Sequence, residues 1–229
     1  KQYLRIRPRI VLPCIALGMA TFIMQVSESV ISVAFNSSLL KYGGDVAVGA
    51  MTILTSVMQF AMLPMQGLAQ GAQPISSYNY GAKNTDRVKK TFGLQLAVCL
   101  TYAVAFWAML MVCPTVFASI FNNDPALVQY TGWAMRIYMA GIFALGAQMV
   151  CQQSFMALGQ AKVSLLMACL RKIVLLIPLI FILPNFFENK AFAVFLAEPV
   201  SDFIAAAVTT FMFFRFFIRM LKEGKAQQQ

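Results

Sequence analysis

The sequence predicts an all-α integral membrane protein, a single bundle of six transmembrane helices that occupies residues 1–229. Sixty per cent of the residues are hydrophobic and 11% are charged, whereas soluble domains typically carry about 25% charged residues. The mean hydropathy is +0.72. Apolar segments of the roughly 20 residues needed to cross a bilayer recur along the chain, and the connections between them are too short for a separate soluble domain.

The first three predicted spans are each bounded by charged segments. The first, residues 10–40, lies between a basic N-terminal segment and a short charged loop. The second, residues 46–71, begins a stretch without any charged residue that extends from 46 to 82. The third, residues 91–112, follows a basic cluster at 83–90.

The last three predicted spans are residues 131–158, 163–183 and 191–214. The apolar segment that begins at Pro125 is too long for one crossing of about 30 Å, so its first two turns are expected in the membrane interface. The fifth span is expected to end at Pro184, because proline cannot continue a helical hydrogen-bond ladder.

Basic residues are concentrated at one end of this predicted bundle. By the positive-inside rule, both termini are expected in the cytoplasm. The same asymmetry explains the net charge of +10, so we expect the lipid bilayer as a partner and no nucleic acid. Fifteen of the 18 basic residues are on this side: Lys1, Arg5, Arg7, Arg9, Lys83, Arg87, Lys89, Lys90, Lys162, Arg171, Lys172, Arg215, Arg219, Lys222 and Lys225.

Histidine is absent from the sequence, and the five cysteines show no CxxC spacing. The absence of histidine removes Ser–His and Cys–His catalytic pairs and any histidine metal site. We therefore expect no enzyme, no metal site and no cofactor beyond a coupling ion.

Polar residues form stripes along several predicted spans. Steps of three and four place such residues on one helix face. A lipid-facing helix gains nothing from a row of amides, so these faces are expected to meet other helices or water. The second span carries Thr52, Ser56, Gln59, Gln66, Gln70, Gln73 and Ser77; the first carries Thr21, Gln25, Glu28, Ser32 and Asn36; shorter stripes are Gln148 with Gln152 and Glu198 with Asp202.

Two interpretations of the stripes remain open. They are either interhelical hydrogen-bond contacts, common in membrane bundles, or the lining of a polar cavity shared by four helices. Proline and glycine in the second half of the second span favour the cavity, since bent helices often line transporter cavities. The predicted hinge residues are Pro64, Gly67, Gly71 and Pro74.

Three acidic residues, Glu28, Glu198 and Asp202, lie inside predicted spans. At about 1.5 Å per residue, Glu28 lies roughly 20 Å from Lys41 and is the closest of the three to the midplane. It has no obvious basic partner, so it is expected to serve in ion coupling or substrate-cation binding, or to be a protonated packing partner. Glu198 lies nearer the outer surface and precedes Pro199, so it is the weaker candidate and is expected at a helix bend.

The third acid has candidate partners on the neighbouring span. Asp202 lies roughly 18 Å from Lys190, and Arg171 and Lys172 lie roughly 14 Å from Lys162 at the other surface. Asp202 is therefore expected to meet Arg171 or Lys172, in a structural pair whose partners offset each other's burial cost.

Several segments resemble the multidrug and toxic compound extrusion (MATE) family, most closely its bacterial MepA-like branch. They are QPISSYNYG at 73–81, preceded by PMQG at 64–67, SESVISVAFNSSLLKYGG at 27–44, SFMALGQAK at 154–162 and LAEPVSD at 196–202. The resemblance implies a fold of twelve spans in two six-helix lobes, of which this chain is similar to the C-terminal lobe. It also implies export of cationic amphipathic compounds across the bacterial cytoplasmic membrane, by alternating access in exchange for H⁺ or Na⁺.

The resemblance implies that the first span contributes a key acid, here Glu28. Sodium-type members carry that acid about two turns earlier, near Thr21, and a further acid where this chain has Gln148 and Gln152. A sodium site of that type is therefore not expected here. The implied partner is an N-terminal lobe or a second copy of the chain.

Two other functions remain open. The chain is either a non-transporting membrane scaffold or gene fragment, or a lipid-linked precursor flippase of the same superfamily. A flippase is expected to line its cavity with several arginines for a pyrophosphate, whereas Arg171 is the one deep arginine of the predicted bundle.

Overall fold

The computed structural model describes the backbone of residues 8–226 and the side chains of Phe22 and of residues 26–221. Every regular element in this part of the chain is helical, which confirms the predicted all-α class. The α-helices are α1 (Pro8–Gly81), α2 (Thr85–Val112), α3 (Pro114–Phe121), α4 (Pro125–Tyr138), α5 (Ile142–Ala157), α6 (Ala161–Cys169), α7 (Ile177–Ile182) and α8 (Lys190–Ala226). Three short elements join them: 3₁₀ turns at Met139–Gly141 and Leu183–Asn185, and a π-helical segment at Leu170–Leu176.

Helix α1 consists of two arms that meet at Gly44. This residue has φ 67° and ψ −165°, a conformation that is open essentially to glycine alone. Its neighbour Gly43 lies so close to α4 and α8 that a Cβ there would be 3.2 Å from the hydroxyl of Tyr130 and 3.5 Å from Cβ of Ala191. The two glycines therefore let the chain reverse against two other helices, and the arms 8–43 and 45–81 correspond to the first two predicted spans.

The remaining spans follow the predicted order. In the described part of the chain five helices are long and apolar enough to cross a membrane, and the first of them contains both arms of α1. These are Val26–Gly81, Thr85–Val112, Pro125–Ala157, Ala161–Asn185 and Lys190–Leu221.

Several helices extend beyond the predicted spans. The second arm continues to Gly81, and α8 continues to Ala226. Helix α2 begins at Thr85, where the Asn84 side chain accepts a hydrogen bond from the Arg87 backbone N–H at 3.3 Å. Helix α3 was not predicted. Outside the hydrocarbon, helix ends are set by capping groups and not by hydropathy, so an apolar segment underestimates the length of a helix.

Two apolar cores hold the helices together. One packs α1, α2, α4, α5, α7 and α8 around fully buried side chains such as Phe35, Leu54 and Phe195. The other is aromatic and lies near the cluster at 83–90: the Phe213 ring centroid is 4.8 Å from that of Phe92 and 5.0 Å from that of Phe155. We call this end of the bundle the basic end, and the end that contains Gly44 the opposite end.

Replacing Gly44 with alanine is expected to lower the free energy of unfolding by about 1–3 kcal/mol, because alanine is strained at this φ and ψ. Gly93→Ala is the matched control: Gly93 is helical, and a Cβ there meets nothing within 4 Å. This control is expected to stabilise α2 by about 0.5–1 kcal/mol. Unfolding in detergent micelles, followed by circular dichroism, measures both. Equal stabilities for the two variants would contradict the turn geometry.

Candidate functional site

Arg171 joins two acidic residues inside the bundle. Its Nε donates to Oδ1 of Asp202 at 2.6 Å, and its terminal NH2 group donates to Oε1 of Glu198 at 3.0 Å. Glu198 and Asp202 are one helical turn apart on α8 and share a face. Asp202 has no exposed surface and Glu198 is 6% exposed. The two ends of the guanidinium fork thus each bind one buried carboxylate, a geometry that arginine provides and lysine does not.

The backbone around Arg171 is π-helical. The wide turn at Leu170–Leu176 replaces the usual i→i+4 ladder, and the Arg171 carbonyl accepts a hydrogen bond from the hydroxyl of Ser201 at 3.0 Å. Single π-helical turns within α-helices often occur at functional sites. Here the turn lies where two consecutive basic residues, Arg171 and Lys172, both reach acids inside the bundle.

Gly141 lets the segment before α5 approach α8 at the level of Asp202. A Cβ on Gly141 would lie 3.0 Å from Cβ of Asp202, 3.2 Å from its Oδ2 and 3.2 Å from Cα of Pro199. Oδ2 of Asp202 has no hydrogen-bond partner among the described residues. One oxygen of the Asp202 carboxylate is therefore bound to Arg171, and the other lies beside the backbone of Gly141.

Glu28 forms an ion pair with Lys172, between Oε1 and Nζ. The expectation that Glu28 lacks a basic partner is therefore wrong. The Glu28 side chain is 52% exposed, whereas that of Lys172 is 19% exposed. The pair thus connects the interior of the bundle to the outer face of the first arm of α1.

Asp202 was predicted to meet Arg171 or Lys172, and in the structure its partner is Arg171. Glu198 is not a separate bend residue near the surface: it is buried, it binds the same guanidinium, and α8 is continuous through Pro199. Sequence reasoning also missed Tyr138 of α4, a buried residue close enough to Glu198 and Asp202 to experience their charges. Depth along the helices, about 1.5 Å per residue, was the only sequence signal for the Glu28–Lys172 pair, and it does not give the rotation of each helix that contact also requires.

The charged cluster of the described residues thus consists of two groups on consecutive basic residues: Arg171 binds Glu198 and Asp202, and Lys172 binds Glu28. With every group ionised, three negative and two positive charges leave a net charge of −1. A net charge inside a membrane is costly, so the cluster favours one additional proton or monovalent cation.

The polar stripes of α1 lie on the outside of this chain. On the second arm Gln59, Gln66 and Gln70 are exposed and Gln73 is half-buried, while the opposite flank of the arm belongs to the core. On the first arm Ser32 is exposed and Asn36 is half-buried, and the Asn36 amide donates to the Ser32 hydroxyl at 3.5 Å. The side chain of Gln25 lies outside the described residues.

The stripe residues of α5 lie inside the bundle. Gln148 is buried, its Oε1 has no hydrogen-bond partner among the described residues, and Gln152 is half-buried. The structure therefore divides the predicted cavity residues into two sets. The side chains of α1 line an open face, and those of α5 and α8 are enclosed.

The predicted hinge residues Pro64, Gly67, Gly71 and Pro74 are all exposed on the second arm. The helix is continuous through all four of them, and the sharp change of direction in α1 is at Gly44 instead. A bend at the four residues during function stays a prediction.

A cavity of about 420 Å³ lies near the opposite end of the bundle, lined by Gln129, Tyr130, Trp133 and Asn189, and it contains none of the predicted site residues.

The fold and this site define a class of protein: a helical, multi-pass membrane protein with a charged cluster in its spans, as is typical of transporters. The chain belongs to the MatE family, whose model matches residues 20–182. The resemblance to MATE transporters is therefore confirmed.

Curated relatives carry the name multidrug export protein MepA. The protein of Staphylococcus haemolyticus is 26% identical over 192 residues, which cover 82% of this chain and 42% of the relative. That of Staphylococcus saprophyticus is 26% identical over 212 residues, which cover 90% of this chain and 46% of the relative. The chain thus spans slightly less than half the length of these curated relatives.

Solved structures of MATE transporters share the fold. A crystal structure of a MATE in the bent conformation matches 97% of this chain and 49% of its own, with a TM-score of 0.85 and 17% identity. An inward-facing multidrug resistance MATE family transporter matches 95% of this chain and 50% of its own, with a TM-score of 0.86 and 17% identity. The six spans of this chain therefore have the fold of about half a MATE transporter.

Arg171→Gln is expected to lower the free energy of unfolding by about 3–5 kcal/mol, since Glu198 and Asp202 would remain buried without their partner. Arg171→Lys is expected to recover only part of the loss, because an ammonium cannot reproduce the two-sided fork. Arg215→Gln, at an exposed position near the basic end, is the control and is expected to change stability by less than about 0.5 kcal/mol. Unfolding in detergent measures all three. Full stability of Arg171→Gln would show that the guanidinium does not hold the cluster together.

Proposed function

We propose that the chain is the C-terminal lobe of a cation-coupled multidrug antiporter in the bacterial cytoplasmic membrane. It exports amphipathic organic cations by alternating access in exchange for H⁺ or Na⁺. Membership in the MatE family and the name of the curated relatives, multidrug export protein, support the class of activity.

The observation that carries the proposal is the exposure of Glu28, whose side chain is 52% exposed although it pairs with Lys172. Arg171 is shared by two buried acids, so Glu28 is the acid that reaches the open face of α1. A carboxylate at that position can exchange one cation for another: a proton or Na⁺ in one half of the cycle and the cationic centre of a substrate in the other. The coupling ion and the substrate cation cannot occupy Glu28 at the same time. Exchange at this one acid therefore couples export of the substrate to entry of the ion.

The exposed stripes support a second lobe as partner. Gln59, Gln66 and Gln70 form an open polar face of a helix that is apolar enough to cross a bilayer. Such a face is unfavourable against lipid, because each amide needs a hydrogen-bond partner. A second lobe, from an N-terminal half or another copy of the chain, would convert this face into one wall of a hydrated path between the lobes.

The competing functions fit the site less well. A flippase for a pyrophosphate-linked lipid needs available guanidinium groups, whereas Arg171 is held by Glu198 and Asp202. A scaffold would use its polar stripes for packing within the bundle, whereas the stripe of the second arm is exposed.

Export of ethidium from cells tests the proposal. The chain is expressed alone, together with a MATE N-terminal lobe, and in both settings with Glu28→Gln. Export is expected only with the second lobe, and the Glu28→Gln change is expected to reduce it by about tenfold or more, because the exchange site loses its charge. Asp45→Asn, an exposed acid next to the Gly44 turn, is the control and is expected to leave export unchanged.

The outcomes separate the candidates. Export by the chain alone would show that copies pair to form a complete path, and the N-terminal lobe would not be needed. Absence of export in every combination, with all variants folded and in the membrane, would favour the scaffold.

The proposed orientation places both termini in the cytoplasm, so the connection between α2 and α3 lies outside the cell. Cys113 is exposed in that connection, whereas Cys99 and Cys151 are buried. A membrane-impermeant maleimide added to intact cells is therefore expected to label the chain, and Cys113→Ser is expected to remove the label. In the Cys113→Ser background, Lys83→Cys at the basic end is expected to react only after the membrane is opened. Labelling of Lys83→Cys in intact cells, with Cys113 labelled only after the membrane is opened, would show the opposite orientation, with both termini outside the cell.

A further inference from the structure

Glu28 and Lys172 form an ion pair at the surface of the bundle, with Glu28 on the outside and most of Lys172 on the inside. Glu28 belongs to the open face of α1, which also carries Ser32 and Asn36. Lys172 comes from the π-helical segment behind that face, and most of its side chain is buried. The lysine thus extends an ammonium group from the interior to a carboxylate that is accessible from the outside.

An alkylammonium ion and the end of a lysine side chain have the same chemistry. Each is a compact positive charge on an apolar stem, and a carboxylate binds either of them. We propose that Lys172 is a tethered competitor for the cationic group of a substrate. Its ammonium occupies Glu28 in the empty protein, and a substrate cation must displace it to bind. The inference rests on the proposed function in that it takes Glu28 as the acid that receives the substrate.

The charges around Lys172 make its displacement possible. Lys172 follows Arg171, whose guanidinium binds Glu198 and Asp202, and these two carboxylates also attract the ammonium of Lys172. The cluster has one carboxylate more than it has basic groups, so the arrival of one monovalent cation brings its net charge to zero. Displacement therefore leaves no uncompensated positive charge inside the membrane.

The packing beside Lys172 also leaves room for movement. A small cavity of about 10 Å³ adjoins it, lined by Ser27, Ala168, Cys169 and Ile173 in addition to Lys172 itself. This volume is about that needed for one water molecule. The ammonium thus has a small, mainly apolar gap beside it.

Arg171 is unsuited to the same role, although it is the next residue in the chain. Both ends of its guanidinium are occupied by buried acids, and its carbonyl is bound by Ser201. The π-helical turn thus separates two consecutive cations: Arg171 is a structural clamp, and Lys172 is exchangeable. This separation lets the bundle stay intact while the substrate replaces one ion pair.

A tethered competitor changes selectivity as well as affinity. It lowers the apparent affinity for a cation by the fraction of time during which Glu28 is free. It also keeps Glu28 neutralised in the absence of substrate, which limits the cost of a carboxylate in a membrane span. Uncharged molecules do not compete for Glu28, so their binding is independent of Lys172.

Binding of two probes of similar shape tests the proposal: tetraphenylphosphonium, a cation, and triphenylphosphine oxide, which is uncharged. Affinities are measured by titration calorimetry on the whole chain in detergent micelles. Lys172→Gln is expected to bind the cation about tenfold more tightly than the wild type, the gain for a competitor that occupies Glu28 about 90% of the time. Lys172→Arg, which keeps a positive charge, is expected to stay close to the wild type. If Lys172→Gln does not fold, Lys172→Met retains the apolar stem and tests the same point.

Three controls make the result specific. Lys162→Gln removes an exposed lysine at the basic end of the same span and is expected to change neither affinity. Affinity for the phosphine oxide is expected to be unchanged in every Lys172 variant. In the background of Glu28→Gln, Lys172→Gln is expected to bring no gain, because the acid for which the two cations compete is gone.

Unchanged or weaker binding of tetraphenylphosphonium by Lys172→Gln would overturn the proposal, and so would the absence of binding in every variant. Equal gains for the cation and the phosphine oxide would also overturn it, since they would indicate that the change only enlarged the site. Export is a separate readout. If the chain with its second lobe exports no ethidium but Lys172→Gln shows the expected gain in binding, the proposed transport function is wrong and the competitor stands. If ethidium is exported but Lys172→Gln shows no gain in binding, the competitor is wrong and the transport function stands.

Discussion

A charge inside a membrane must be neutralised where it lies, because the hydrocarbon offers no water to solvate it. The bridge from Arg171 to Glu198 and Asp202 offsets one of the two negative charges and binds both carboxylates, through charge-assisted hydrogen bonds at 3.0 and 2.6 Å. Other features depend on it. The glycine at 141 lets the segment before α5 approach the carboxylate of Asp202, and the π-helical turn directs the guanidinium toward α8. The bridge thus lies where three segments pack together, and the third acid of the cluster pairs with Lys172 instead.

That third acid, Glu28, gives the chain two unlike sides. On the enclosed side, Arg171 binds two buried acids and the apolar cores pack the helices together. On the open side, the polar stripes of α1 and the half-exposed pair of Glu28 and Lys172 meet the surroundings. A stable clamp beside an exchangeable pair suits a lobe that keeps its internal packing while ligands bind at its surface. The fold that this chain shares with about half of each MATE structure fits the same division.

Simple rules predicted much of the fold and part of the site. Counting apolar residues predicted six spans in regions where the described chain has long apolar helices, and rise per residue narrowed the partner of Asp202 to Arg171 or Lys172. The same rise did not pair Glu28 with Lys172, because depth is one coordinate and contact also requires the rotation of each helix about its axis. A π-helical turn changes that rotation, and nothing in the composition of residues 170–176 marks it. Helix α3 escaped prediction for a related reason, since a short interfacial helix depends on its caps and not on a long apolar run.

The sequence by itself determined that this is a membrane bundle of six spans, that most of its basic residues lie on one side, and that three acids lie within the spans. Those properties depend on composition and order along the chain, and the bilayer converts them directly into topology. Only the tertiary structure decided which acid is enclosed and which is open. Which acid is enclosed depends on how α1, the π-helical segment and α8 are rotated and packed against each other. The ion pairs that result join residues far apart in the sequence over a few ångströms. For the same reason, the different roles of Arg171 and Lys172 became visible only in three dimensions.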